Sequence, residues 1–159
     1  MSETIHQTAR ALTPADVAGM TGLEVLRGMI SGVLPPPPFA LTMQTILTEA
    51  DYGHVVFTGT PKADFLNPLG TIHGGWTATL LDSAMACAVH SALAAGTSYT
   101  TLELKLNYVR AITSKLRQVR CEGKLIHLGK QTATSEGRLI DADTGALLAH
   151  GTETCLIFG

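Results

Sequence analysis

Charge is what this chain has least of. Charged residues make up 15% of its 159 residues, and hydrophobic residues 45%. Typical soluble domains carry roughly 25% charge. Intrinsic disorder needs the opposite balance and is excluded. Eleven Lys and Arg stand against thirteen Asp and Glu, for a formal net charge of −2. No run of basic residues exists, which argues against a nucleic-acid partner. Cysteine is scarce too: only Cys87, Cys121 and Cys155, with no C-x-x-C pair. That odd count, with no metal-type pairing, best fits a reduced, cytoplasmic protein with buried thiols. The start, MSETIHQTAR, lacks the basic and then apolar pattern of a signal peptide. No apolar run is clean enough for a membrane. The longest, about residues 76–95, holds Asp82 and His90, and a charge at the bilayer centre costs roughly 2.5–3.5 kcal/mol. The length suits one domain, with much apolar surface to bury, part of it between subunits.

What is present divides at the prolines. Residues 1–20 read as a poorly ordered lead-in. Thr21-Gly22 opens a short helix with Leu23, Leu26 and Ile30 at helical spacing. Gly32 and the run Pro35-Pro36-Pro37-Pro38 stop it. The run reads as a stiff polyproline connector or, alternatively, a docking motif for a proline-binding partner. This gives a lead-in, helix and connector over residues 1–38 and a main domain over residues 39–159. Two strands are expected at about 41–49 and 54–60, joined by the turn Asp51-Tyr52-Gly53. From Trp76 to about Ala94 there is no Pro or Gly, and the apolar residues run nearly all round. That predicts one long, buried helix. Alternation then takes over. Leu102, Leu104, Leu106 and Tyr108 share one face of a strand over about 99–109, with Thr101, Glu103, Lys105 and Asn107 opposite. Further strands fall at about 117–127, 131–141 and 146–157. Spacing this close leaves no room for crossover helices, so the sheet is expected to be antiparallel. The fold class is α+β, a long central helix held by five or six strands.

The chemistry-bearing stretch is Asn67-Pro68-Leu69-Gly70-Thr71-Ile72-His73-Gly74-Gly75-Trp76, followed by Leu80-Leu81-Asp82. Gly74 and Gly75 fall at the start of the long helix, where free N–H groups and the positive dipole end lie. Such a place stabilises a carbonyl oxygen gaining negative charge, or is simply a loop-to-helix junction. Asp82 is the lone acid of an apolar helix. It is a capped structural carboxylate or a nucleophile or general base. Eight residues separate Gly74 from Asp82, about 12 Å along a helix. Reacting groups must come within about 3–3.5 Å of one carbonyl, so a single helix cannot supply both. Two antiparallel copies could. If both residues serve one reaction, the active unit is at least a dimer.

Asn67, His73-Gly74-Gly75 and Asp82, on a long helix followed by four strands, resemble the hotdog-fold acyl-CoA thioesterases. The resemblance is closest to the phenylacetate-pathway (PaaI-like) and THEM-type branch and covers about residues 40–158. It implies a helix wrapped by a curved antiparallel sheet, edge-to-edge dimers often paired into tetramers, and metal-free hydrolysis of acyl-CoA with no cofactor. It further implies Asp82 as nucleophile or base, the Gly74 N–H as carbonyl donor, and Asn67 holding the carbonyl or the water. His73 would support the loop, and Thr101, where some members have Ser, would position water. CoA phosphates call for positive charge, for which Arg110 and Lys130 are candidates unless they are solvated surface charges. Gly75 and Trp76 are candidates for lining the acyl site, although Trp76 equally suits packing on the sheet. His90 reads as a buried structural histidine. The expected function is hydrolysis of medium-chain or aromatic acyl-CoA. The competing readings are an acyl-CoA-binding module, against which Asp82 argues, and an acyl-thioester dehydratase or hydratase, for which no second acid stands near His73 in the sequence.

Overall fold

The computed structural model describes residues 9–159. Residues 1–8, the start of the expected lead-in, lie outside the described residues. The rest of that lead-in is tied down, contrary to expectation. Arg10 pairs with Asp16 at 2.7 Å, Asp16 accepts the Thr13 N–H, and the Arg10 N–H donates to Pro36 O.

Helix α1 (Gly22–Ile30) begins with a capping box. Thr21 Oγ1 accepts the Glu24 N–H while the Glu24 carboxylate accepts the Thr21 N–H. Its Leu26 is fully buried in the main core, so α1 packs with the sheet. The proline run then differs from its reading as a plain connector. Pro38 is the first residue of a second helix, α2 (Pro38–Met43), a position that suits a residue with fixed φ and no N–H. Gln44 ends α2 in the left-handed region, at φ 54°. The expected strand at 41–49 therefore starts later, as β1 (Thr45–Asp51). It pairs through the Tyr52-Gly53 turn with β2 (His54–Gly59), and Gly53 at φ 70° supplies the conformation the turn needs.

The long helix, α3, runs Gly74–His90. It starts two residues before the expected Trp76 because His73 caps it, the Gly75 N–H donating to His73 Nδ1 at 2.9 Å. It stops short of Ala94 because Ser91 closes it. The Ser91 Oγ donates to Ala88 O and accepts the Gly53 N–H, which ties the helix end to the β1–β2 turn. Four strands follow: β3 (Ser98–Tyr108), β4 (Val119–Leu128), β5 (Thr132–Asp141) and β6 (Leu147–Phe158). All pairings are antiparallel, in the order β1-β2-β4-β5-β6-β3. The edges are thus β1 and β3.

Leu80, Leu81, Ala84, Met85 and Ala88 of α3 are fully buried against Val55, Val119, Cys121 and Leu139. Each large apolar side chain so buried contributes roughly 1.5–3 kcal/mol. The helix lies this close because Gly123 and Gly137 face each other across β4 and β5 beneath it. A Cβ at Gly123 would stand 2.0 Å from Ala84 O, and one at Gly137 would stand 2.8 Å from Met85 Cγ.

Candidate active site

The loop before α3 is closed on itself. Asn67 Oδ1 accepts the N–H groups of Leu69 and Thr71, and its Nδ2 donates to Thr71 Oγ1 at 2.8 Å. The Asn67 side chain thus braces the 67–71 loop from inside. The His73 N–H donates to Phe65 O, and its ring caps α3. The Gly74 N–H, next in line, donates to no acceptor among the described residues. Tyr108 lies over it, donating its hydroxyl to Gly74 O at 3.1 Å. Gly74, Thr77, Tyr108 and Arg110 line one groove of about 330 Å³. Arg110 and the exposed Gly75 therefore stand near the helix start.

Lys130 does not. It occupies the β4–β5 turn, next to Gln131, whose carbonyl accepts from Ile157. That is the end of the sheet near Ser98, whereas Arg110 follows the other end of β3. Trp76 is core rather than pocket wall. It is 2% exposed, stacks on Phe65 at 5.7 Å and donates its indole N–H to Met43 O. His90 is half-buried against Tyr99, 5.1 Å between rings, and burial holds its pKa down.

Two turns along α3, Asp82 opens onto a second groove, of about 390 Å³, with Ala78, Thr79, Thr101 and Leu104. The Thr101 hydroxyl lies 3.2 Å from Asp82 Oδ1. A β-bulge places it there. Thr101 pairs with Cys155 but Glu103 pairs with Thr154, which leaves Leu102 as the extra residue. The bulge overturns the strict alternation read from the sequence. Thr101 faces α3 on the same side as Leu104 and Leu106, while Leu102 is 58% exposed.

The same hydroxyl lies 2.9 Å from Glu153 Oε1, on β6. Glu153 is 1% exposed, and its Oε2 has no partner among the described residues. Burial, with a smaller push from Asp82, raises its pKa to about 7. Sequence reasoning missed it. The alternation of β6 sets Glu153 in line with buried Ala149, Gly151 and Cys155, a signal that can be read only once the inward parity of the strand is known. Tyr108 was read only as a strand residue. Among the described residues, no group of three or more His, Cys, Asp or Glu side chains could hold a metal ion.

A central helix gripped by a curved six-stranded antiparallel sheet is the hotdog-type thioesterase fold. The sequence model of the Thioesterase superfamily matches residues 69–147, from the loop before α3 to the start of β6, and the chain carries a domain of that superfamily. Several solved structures similar to it are named as proteins of phenylacetic acid degradation. A phenylacetic acid degradation-related protein from Ralstonia eutropha JMP134 shares 28% identity over 82% of this chain and 98% of its own, with a TM-score of 0.74. A point mutant of the phenylacetic acid degradation protein PaaI from Thermus thermophilus shares 27% over 75% and 97%, with a TM-score of 0.66. A hypothetical thioesterase with coenzyme A from Streptococcus pneumoniae TIGR4 shares 27% over 72% and 86%, with a TM-score of 0.65. No match is found among curated proteins.

Proposed function

We propose that the chain hydrolyses acyl-CoA thioesters, with each site built from two copies. The observation that carries this is the pairing, on one helix, of an unengaged Gly74 N–H with a carboxylate at Asp82 held by Thr101. About 12 Å separates them along the axis, so the carbonyl polarised by Gly74 of one subunit is attacked beside Asp82 of the other. Edge strand β3, with Leu102 and Tyr108 exposed, is the surface for such pairing, and dimers would pair further into tetramers.

Asp82 acts as general base. It takes a proton from water held between its carboxylate and the Thr101 oxygen, and the water oxygen adds to the thioester carbonyl. The oxyanion is held by the Gly74 N–H, at the positive end of α3. Collapse breaks the C–S bond, and the CoA sulfur leaves with the proton from Asp82. Asn67 and His73 hold the loop that aims Gly74. Arg110, beside Gly74, meets CoA phosphate, and antiparallel pairing brings Lys130 of the other copy toward the same end. The acyl group is medium-chain or aromatic. Three free cysteines suit a reducing, cytoplasmic setting.

Thiol release from short, medium, long and aromatic acyl-CoAs tests this, with Asp82→Asn as control. The wild type is expected to hydrolyse at least one class, and the variant to lose about a hundredfold or more in kcat with an unchanged fold. Full activity in the variant contradicts the mechanism. Binding of CoA esters without turnover in the wild type would make the protein a binding module.

A further inference from the structure

One hydroxyl between two carboxyl groups is an arrangement with a definite hydrogen count. Thr101 Oγ1 carries a single hydrogen. It stands 3.2 Å from Asp82 Oδ1 and 2.9 Å from Glu153 Oε1. Two ionised carboxylates cannot both be satisfied by that one hydrogen. Nor does any other group among the described residues relieve a charge on Glu153. The Cys155 thiol contributes a single weak bond to Oε1 at 3.1 Å, Oε2 has no partner, and none of the salt bridges among the described residues includes Glu153. An unpaired buried charge next to Asp82 is the costliest choice.

The geometry points to Glu153 as a positioning residue: its carboxyl O–H donates to Thr101 Oγ1, which commits the Thr101 hydrogen to Asp82. This rests on the proposed thioesterase reading and deepens it. Glu153 is shielded from the groove by Thr101 and touches neither water nor thioester. It acts through Thr101, fixing the hydroxyl's direction and keeping a second buried charge away from Asp82, whose groove is also lined by Glu103. The other titratable groups facing Glu153 are Cys87 from α3, Tyr99 from β3 and Cys155 from its own strand. Burial keeps both thiols and the phenol protonated, with Cys87 and Cys155 each pushed up to about 12. From β5, the cross-strand neighbour is the uncharged Ser135. Ionisation of Glu153 would reverse the chain of donors, since Thr101 would then turn to the nearer oxygen and release Asp82.

The test combines pH–rate profiles with infrared titration of the carboxyl groups, on wild type, Glu153→Gln and Glu153→Leu. In the wild type, kcat/KM is expected to fall tenfold or more as pH rises through about 7, the value burial gives Glu153. The Gln amide donates to Thr101 at every pH, so Glu153→Gln is expected to lose that descending limb. Its rate at pH 6 should lie within about threefold of wild type. Glu153→Leu, with no donor, is expected to lose tenfold or more in kcat at all pH values, with KM changed much less. The infrared spectrum of the unliganded wild type at pH 6 should show a protonated carboxyl band that is absent from Glu153→Gln. An ionised Glu153 at pH 6 overturns the inference whatever the turnover, as does an unchanged limb in Glu153→Gln. A wild type that hydrolyses nothing removes the thioesterase reading and the positioning role with it. An active wild type with an unmoved limb removes only the positioning role.

Discussion

At the scale of single residues, the proposed chemistry lies where polar groups interrupt apolar periodicity. Asp82 was legible because it stands alone in an apolar helix, and Gly74 because two glycines precede a long glycine-free stretch. Glu153 lay in a strand with ordinary mixed composition. Its burial depends on which parity of β6 faces α3, and one sequence does not state that parity. The two residues therefore differ in visibility although one hydroxyl joins them. Glu153 also makes stability depend on pH. Its folded pKa, about 7, exceeds the ordinary 4.5. Between those values the folded protein keeps a proton that the unfolded chain has released, so stability falls as pH rises across the window. The loss is on the order of 3 kcal/mol, at about 1.4 kcal/mol per unit. Urea unfolding between pH 4.5 and 8 is expected to show this fall in wild type and to lack it in Glu153→Gln. Equal slopes in the two proteins would mean that Glu153 does not titrate there.

At the scale of elements, helical and alternating patterns located the central helix and the later strands closely, since one period persists over many residues. They failed where a single residue resets the count. The Leu102 bulge turns Thr101 toward the helix, and Pro38 begins a helix where an early strand was expected. Neither device changes composition. The glycine pair under α3 was equally hidden, because Gly123 and Gly137 meet only once β4 and β5 are in register. It yields a sharp expectation. Gly123→Ala puts a methyl against the carbonyl of Ala84, a backbone group that cannot swing aside. The helix must lift, at a cost of about 3 kcal/mol or more. An unchanged urea midpoint would show that α3 does not rest on β4 as described.

At the scale of the whole molecule, the family resemblance carried the architecture, and simple helix geometry carried the argument for two subunits. The domain division drawn at residue 38 is less clean in space than in sequence, because Leu26 of α1 joins the main core. An apolar hollow of about 370 Å³ between Met29, Pro37, Leu41 and Phe57 lies toward the β1 edge, across the sheet from Asp82. It has no part in the proposed reaction. Acyl-group preference was not legible, because in the proposed two-subunit site the walls depend on how the subunits meet.

The central claim is that Gly74 and Asp82 act on the same carbonyl from different subunits, and subunit complementation tests it most directly. Gly74→Pro deletes the donor N–H at the first helical position, where proline is well tolerated. Asp82→Asn deletes the base. Each variant alone should be inactive while folding normally by circular dichroism. Mixed by co-refolding, they form hybrid dimers in which one site carries both substitutions and the other neither. Activity is then expected to return to about a quarter of wild type for random pairing in a two-fold dimer. If the mixture stays as inactive as its parents while mass spectrometry shows hybrid dimers, each site draws on one subunit, and the account is wrong.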